Sequence, residues 1–118
     1  MADSVDHPSH YNSRNIGYEC IDFAEPQTFC VGNAIKYLWR FRSKGKPLED
    51  LQKARWYAQR ALMLGDRILI CDNACDKLVK STKGLERVAW EGFAWKDWHM
   101  VIEALDRMIE RLEDGKEC

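Results

Sequence analysis

Apolar residues recur at intervals of three and four over two long stretches in the first half of the chain. The first stretch contains Val31, Ala34, Ile35 and Leu38, and the second contains Leu51, Ala54, Ala58, Ala61 and Leu62. This spacing predicts two amphipathic helices, because residues three or four apart share one helix face. Gly45 and Pro47 mark a turn between them. The sequence therefore predicts a helical hairpin with its two apolar stripes packed together.

Turn and capping residues set the predicted boundaries of these helices. A short helix is expected over 19–25, ended by Pro26, because a residue before proline avoids the helical region. Thr28 is the expected cap of the first long helix, which runs to about Ser43, and the second long helix starts near Leu48. Residues 1–17 have no sustained periodicity and predict an irregular N-terminal arm.

The second half of the chain predicts appended amphipathic helices. One is expected over 67–80, and Asp97 is the expected cap of a last helix that ends at Gly115, with apolar residues Trp98, Val101, Leu105, Met108 and Leu112. The last helix either covers the hairpin or pairs with another subunit, and we favour packing together with a homo-oligomer contact. Because no segment has strand periodicity, the predicted fold class is all-α. We expect a helical unit over 1–65 and a C-terminal extension over 66–118.

Composition narrows the class of protein. Hydrophobic residues make up 46% and charged residues 31% of the 118 residues, which is typical of a folded domain with a charged surface. No apolar run approaches the roughly 20 residues of a membrane span, and the acidic, polar N-terminus does not resemble a signal peptide. We therefore expect a cytoplasmic protein without a membrane partner. The five cysteines show no zinc-site spacing, so no metal centre is predicted.

The net charge of −1 conceals a basic middle region. Residues 36–60 carry eight bases against Glu49 and Asp50. Nucleic-acid-binding domains are usually basic as a whole, so this local excess favours a small anionic ligand over nucleic acid.

One strip of the first long helix combines the chemistry that a nucleotide would need. With about 100° between successive residues, this strip comprises Phe29, Asn33, Lys36, Tyr37, Arg40 and Lys44. Arg40 is the candidate phosphate fork, Lys36 and Lys44 are point charges, and Tyr37 or Phe29 could stack on a base. A solvated helix face is the alternative. Gly32 favours a site, because glycine inside a helix costs about 1 kcal/mol and indicates close approach of backbone or ligand.

Two further segments carry candidate site residues. His7 and His10, followed by Tyr11, could meet a phosphate or move a proton, or could belong to a plain terminal arm. Glu19 and Asp22 could accept hydrogen bonds from a sugar or base, or could complement a helix dipole. The sequence has no glycine-rich phosphate loop, so any nucleotide chemistry uses another kind of site. Trp90, Trp95 and Trp98 are expected to be core or interface anchors.

In this order, the motifs resemble a family of small phage-encoded domains that includes podophage nucleotide kinases. The resemblance covers about residues 6–62 and rests on His7-Pro-x-His-Tyr11, Gly17-x-Glu-Cys-Ile-Asp22, Phe29-Cys-x-Gly-Asn-Ala-x-Lys-Tyr-x-x-Arg40, Lys44-Gly45 and Glu49-Asp-Leu-x-Lys-Ala-x-Trp-Tyr57. It implies nucleotide binding, kinase activity on deoxynucleoside monophosphates in some members, and the cytoplasm of a host cell as the location. Lys53 and Tyr57 then join the candidate substrate-binding residues.

The expected activity is that of a (deoxy)nucleoside monophosphate kinase without a phosphate loop. Arg40 and Lys36 would stabilise the transferring phosphate, and His7 or His10 would orient it or move a proton. Tyr37 and Asn33 would contact base or sugar, and Glu19 or Asp22 the ribose or a metal. No cofactor is required by the sequence itself, although a nucleoside triphosphate donor would bring magnesium. Two alternatives stay open: a non-catalytic sponge for a nucleotide signal of bacterial defence, and an adaptor that binds a host protein through the tryptophan-rich tail.

Overall fold

The computed structural model describes residues 14–117, and helices are the regular secondary structure of this part of the chain. Their bounds are α1 Cys20–Ala24, α2 Phe29–Arg40, α3 Pro47–Leu64, α4 Asp72–Lys80, α5 Gly84–Ala94 and α6 Trp98–Glu113. The prediction of an all-α fold is confirmed. None of these helices has the length and apolar character needed to cross a membrane.

Helices α2 and α3 form the predicted hairpin. The apolar stripes of the two helices are buried, through Val31, Ala34, Ile35 and Leu38 on α2 and Leu51, Ala54, Ala58 and Ala61 on α3. The alanines of α3 leave room for close packing of its neighbours. Pro47 occupies the first turn of α3, and Gly65 ends that helix in a left-handed conformation, with φ of +71°.

The C-terminal helices complete the same core. Helix α6 packs along both α3 and α5, and its residues Trp98, Val101, Leu105 and Met108 are buried within the chain. Asp97 caps α6 as predicted, because its side chain accepts the N–H of Met100 at 3.1 Å. The apolar stripe of the last helix therefore covers the hairpin. One continuous core reaches from Cys20 to Met108.

The helix predicted over 67–80 is wrong in its first part. Residues 67–71 are not helical, and α4 begins only at Asp72. The side chain of Gln27 explains the difference, because its amide binds both the N–H of Leu69, at 2.8 Å, and the carbonyl of Leu69. These bonds to a distant residue replace the ones a helix would have made, and Ile68 is buried in the extended segment.

The first long helix is also shorter than predicted. It ends at Arg40 rather than near Ser43, because the Arg40 carbonyl accepts the N–H groups of both Ser43 and Lys44 and the chain tightens into a turn. Lys44 therefore lies exposed in the turn and not on the helical strip. Thr28 occupies the N-cap position of α2, but its hydroxyl donates to Asp66 at 2.8 Å instead of capping the helix.

Candidate functional site

Two tyrosines stack across the hairpin and form the centre of the candidate site. The rings of Tyr37 on α2 and Tyr57 on α3 lie 5.9 Å apart, with an angle of 10° between their planes. Both are partly buried and rest on the core. Each belongs to the polar side of an amphipathic helix, so packing of the apolar stripes brings the two rings together above the core.

Three cations surround the ring of Tyr37. The Lys36 ammonium lies 4.3 Å from the ring centroid, the Arg40 guanidinium 4.7 Å and the Lys53 ammonium 5.4 Å. Cations within about 6 Å of an aromatic face are held by its negative quadrupole. The phenol ring therefore gathers positive charge from both helices of the hairpin at one place.

Exposed aromatic rings continue this surface on the other side of Tyr57. Phe29 and Trp56 each make an edge contact with Tyr57, with centroids at 5.9 Å and 5.0 Å. Phe29 is 75% exposed and Trp56 60% exposed. We call the surface formed by these rings and cations the aromatic face; its members are Phe29, Lys36, Tyr37, Arg40, Lys53, Trp56 and Tyr57.

Sequence reasoning missed Trp56 as a candidate site residue. The signal was present, because the α3 stripe through Leu51, Ala54, Ala58 and Ala61 places residue 56 away from the core. Together with the exposed ring of Phe29, Trp56 contributes to an exposed apolar patch of the kind that marks binding surfaces.

Two acidic residues pair with the cations of the aromatic face. Asp50 is 2% exposed, and its Oδ1 accepts from Arg40 Nη2 at 3.3 Å. Glu49 is exposed and lies 3.5 Å from the Lys53 ammonium. The pair of Arg40 and Asp50, which we call the Asp50 pair, joins the end of α2 to the start of α3.

Asn33, another residue of the strip, and its neighbour Gly32 both have local contacts. The amide of Asn33 donates to the carbonyl of Phe29 at 2.8 Å, within the same helix. Gly32 approaches α1 closely, since a Cβ at this position would lie 3.2 Å from the Ala24 carbonyl. The glycine is thus explained by close approach of backbone, one of the two reasons that the sequence offered.

Glu19 and Asp22 form a capping box at the start of α1. The Asp22 carboxylate accepts the N–H of Glu19 at 2.7 Å, and the Glu19 side chain accepts from the backbone of Asp22. Asp22 also lines an open groove of about 530 Å³ together with Tyr18 and Leu69. The described contacts of these two residues match the helix-capping alternative. His7, His10 and Tyr11 lie outside the described residues.

A second group of charged and aromatic side chains lies beside the hairpin, and we call it the Glu86 cluster. Glu86 is 4% exposed and accepts from Arg14 at 2.6 Å, from Arg42 at 3.0 Å and from the Trp90 indole at 3.1 Å. Arg14 also donates to the Trp39 carbonyl at 3.0 Å and lies over the rings of Trp39 and Trp90. Sequence reasoning did not assign a role to Arg14 or Glu86.

Cys20 lies near the charges of Arg14 and Arg40. Burial raises the pKa of the Cys20 thiol from its ordinary 9.0 to about 12, although Arg14, Lys36 and Arg40 each lower it. Burial also raises the pKa of Cys75, to about 11. Neither thiol forms a disulfide. Within residues 14–117, no group of three or more histidine, cysteine or acidic side chains is arranged to hold a metal ion.

The tryptophan-rich tail divides between core and surface. Trp90 and Trp98 are buried, and the Trp98 indole donates to the Asp66 carbonyl at 3.0 Å. Trp95, just after α5, is 77% exposed. Two of the three tryptophans therefore anchor the core.

Comparison with protein-family models gives a match to the first half of the chain. A family model described as a protein of unknown function, DUF3310, matches residues 5–59, just under half of the chain. The match includes α1, α2 and most of α3, and hence all members of the aromatic face. No curated protein and no solved structure matches the chain.

Proposed function

We propose that the aromatic face binds a nucleotide, a (deoxy)nucleoside monophosphate being the first to test. The observation that carries this proposal is that three cations converge on Tyr37 next to the exposed rings of Phe29 and Trp56. A nucleotide presents the complementary pair of groups, an anionic phosphate and a flat aromatic base.

The two halves of the aromatic face suit the two halves of such a ligand. Stacking of a base on an aromatic side chain contributes about 1–3 kcal/mol, and Phe29 and Trp56 have the exposure that stacking requires. Lysine and arginine bind phosphate as point charge and planar fork respectively. Lys36, Arg40 and Lys53 supply both kinds, from two different helices.

The reaction that we propose for this site is phosphoryl transfer to the bound monophosphate, on the basis of the resemblance to phage nucleotide kinases. In that reaction Arg40 and Lys36 stabilise the charge of the transferring phosphate, and His7 or His10 orients it or moves a proton. The triphosphate donor would bring its own magnesium ion. The same proposal includes that the protein is encoded by a phage and is located in the cytoplasm of the host cell.

A sponge that holds a nucleotide without turning it over is the second candidate. The observation in its favour is that the carboxylates nearest the cations are engaged, Asp50 by Arg40 and Glu49 by Lys53. The aromatic face thus presents cations and rings to a ligand, while the neighbouring carboxylates form ion pairs within the protein.

The third candidate is an adaptor that binds a host protein through the tryptophan-rich tail. The exposed Trp95 would be its anchor.

One assay series separates these functions. Purified protein is incubated with each deoxynucleoside monophosphate and a triphosphate donor with magnesium, and formation of the diphosphate is followed by chromatography. Diphosphate formation supports the kinase. Nucleotide binding without product supports the sponge, and the absence of both binding and product contradicts both and favours the adaptor.

We also propose that the protein forms a homo-oligomer. The apolar stripe of helix α6 is buried in the core of its own chain. The contact between subunits would therefore use exposed apolar residues elsewhere, such as Met63 and Leu64 at the end of α3. Sedimentation velocity at micromolar concentration tests this, and a monomer at all concentrations would contradict it.

A further inference from the structure

Asp50 is a buried acid within the most basic part of the chain. It lies in the first turn of α3 and is 2% exposed, and its Oδ1 accepts from Arg40 at 3.3 Å. Its other oxygen, Oδ2, is buried too and has no hydrogen-bond partner among residues 14–117. A carboxylate is thus removed from water with only one of its two oxygens matched.

Stability alone does not favour this arrangement. Burying an ion pair costs desolvation of both charges, and a well-packed apolar pair of similar size is often at least as stable. A buried acceptor without a partner adds a further cost. Glu86 shows the contrast, since both of its oxygens accept hydrogen bonds, from three donors in total. Features that break the rules of stable packing concentrate at functional sites.

The Asp50 pair controls the orientation of a group that belongs to the aromatic face. Arg40 is the last residue of α2, and its long side chain is mostly buried. Among its contacts, two bear directly on the guanidinium: the Asp50 carboxylate at 3.3 Å and the Tyr37 ring at 4.7 Å. A carboxylate restricts the plane of a guanidinium through directional hydrogen bonding, and a ring face restricts it by stacking.

We propose that Asp50 is a positioning residue, which holds the Arg40 guanidinium in the orientation that receives the phosphate of a bound nucleotide. This inference rests on the proposed nucleotide site. Its physical basis is preorganisation, because an arginine that is ordered when the protein folds does not have to be ordered when the ligand binds. The carboxylate repels the phosphate at longer range, so the proposal requires that the gain from positioning exceeds this repulsion.

The two contributions can be separated by whether removal of the Asp50 charge weakens or strengthens binding of the nucleotide. Simple electrostatics predicts that removal of any carboxylate near an anion site strengthens anion binding. Positioning predicts the reverse for Asp50 alone. Glu49 provides the matched control, because it is the preceding residue of the same helix turn and its ion pair with Lys53 is exposed.

The experiment compares wild type, Asp50→Asn and Glu49→Gln by calorimetric titration with deoxynucleoside 5′-monophosphates and with the same nucleosides without phosphate. For Asp50→Asn we expect affinity for the monophosphate to fall on the order of tenfold, and affinity for the nucleoside to stay within about twofold, since only the phosphate contact is lost. For Glu49→Gln we expect unchanged or slightly tighter binding of the monophosphate. Equal or tighter binding by Asp50→Asn, or parallel losses for nucleoside and nucleotide, would overturn the proposal.

A ligand-free measurement on wild type keeps the inference separate from the proposed function. The NMR signal of the Arg40 Nε–H should show a guanidinium with restricted rotation in wild type and with faster rotation in Asp50→Asn. Free rotation in wild type overturns the positioning role, even where Asp50→Asn does not fold. Restricted rotation together with no nucleotide binding contradicts the proposed function and the phosphate role of Arg40, while it upholds the orienting contact itself.

Discussion

Among residues 14–117, two units combine an arginine that lies over an aromatic ring with a buried carboxylate that pairs with it. In the Glu86 cluster, Arg14 lies over Trp39 and Trp90, and the carboxylate receives three hydrogen bonds. In the Asp50 pair, Arg40 lies over Tyr37, and the carboxylate receives one described bond at 3.3 Å. Both units thus combine an arginine, an aromatic ring and a carboxylate, but the hydrogen bonds described for the carboxylate are more numerous in the Glu86 cluster.

The two units also differ in the burial of the aromatic rings around them. The rings of the Glu86 cluster are buried in the core, whereas those next to the Asp50 pair lead outward to the exposed Phe29 and Trp56. The first unit ties residue 14 to the C-terminal helices through matched hydrogen bonds, as a structural unit does. The second has open aromatic surface and extra cations beside it, as a binding unit does. The comparison predicts that mutations in the first lower stability and mutations in the second lower ligand affinity.

The largest expected effect is on folding and concerns Glu86. Glu86→Ala leaves two arginines and an indole without their shared acceptor, and we expect the free energy of unfolding to fall by about 3–5 kcal/mol. Urea unfolding followed by circular dichroism measures it. Glu103→Ala is the control, because this exposed acid pairs with Arg107 on the surface and should change stability by less than about 1 kcal/mol. Similar losses for the two variants would remove the distinction between the units.

The next effect is on ligand binding and concerns Arg40. A nucleotide at 100 times its dissociation constant stabilises wild type by about 2.7 kcal/mol, which a thermal-shift assay detects. We expect Arg40→Ala to abolish this ligand-induced shift, because the variant lacks the planar cation next to Tyr37. The melting temperature of the unliganded variant should also fall, because the buried Asp50 carboxylate loses the Arg40 charge. Arg42→Ala, in the Glu86 cluster, should retain the ligand-induced shift. An unchanged shift in Arg40→Ala would exclude Arg40 from the site.

A smaller effect is expected at the exposed rings. Trp56→Ala and Phe29→Ala should each lower nucleotide affinity, by up to about 1–3 kcal/mol for the ring that stacks on the base. Both should leave unfolding within about 0.5 kcal/mol of wild type, because these side chains are exposed. Trp95→Ala replaces an equally exposed ring outside the aromatic face and should affect neither property. If both affinities equal that of wild type, the base does not stack on the aromatic face.

The last effect concerns pH and involves Cys20, which lies near Arg14 of one unit and Arg40 of the other. Its pKa is about 12 in the folded protein against an ordinary 9.0, so the folded state favours the protonated thiol. Its contribution to stability is therefore complete below pH 9 and is lost as the pH rises from about 9 toward 12. Stability of wild type should fall more steeply over this range than that of Cys20→Ala. Identical slopes would mean that the thiol is not desolvated.

The sequence was sufficient for those parts of the fold that depend on local signals. The hairpin followed from apolar spacing, and the start of α6 followed from Asp97, since periodicity and capping involve neighbouring residues. The extended segment at 67–71 could not be predicted, because it depends on Gln27, 42 residues before Leu69. Non-local hydrogen bonds of this kind leave no periodic pattern.

The candidate site was predictable in composition but not in geometry. Tyr37, Arg40 and Lys36 were singled out from residue type and helical position, and Lys53 was added through the family resemblance. The convergence of the three cations on one ring depends on how two helices pack. Asp50 looked like an ordinary acid in a first helical turn, and only the approach of α2 reveals its burial. The pairing of Arg14 with Glu86 spans 72 residues and was invisible for the same reason.

The uneven burial of the tryptophans gives the protein a built-in optical reporter. Of five tryptophans, Trp39, Trp90 and Trp98 are buried and Trp56 and Trp95 are exposed. Native fluorescence should therefore combine a blue-shifted component with a red-shifted one. Iodide, an anionic quencher, should collect at the cations near Trp56, and neutral acrylamide should reach both exposed indoles alike. Comparing the two quenchers on wild type and Trp95→Phe would isolate the emission of the one indole that lies on the aromatic face.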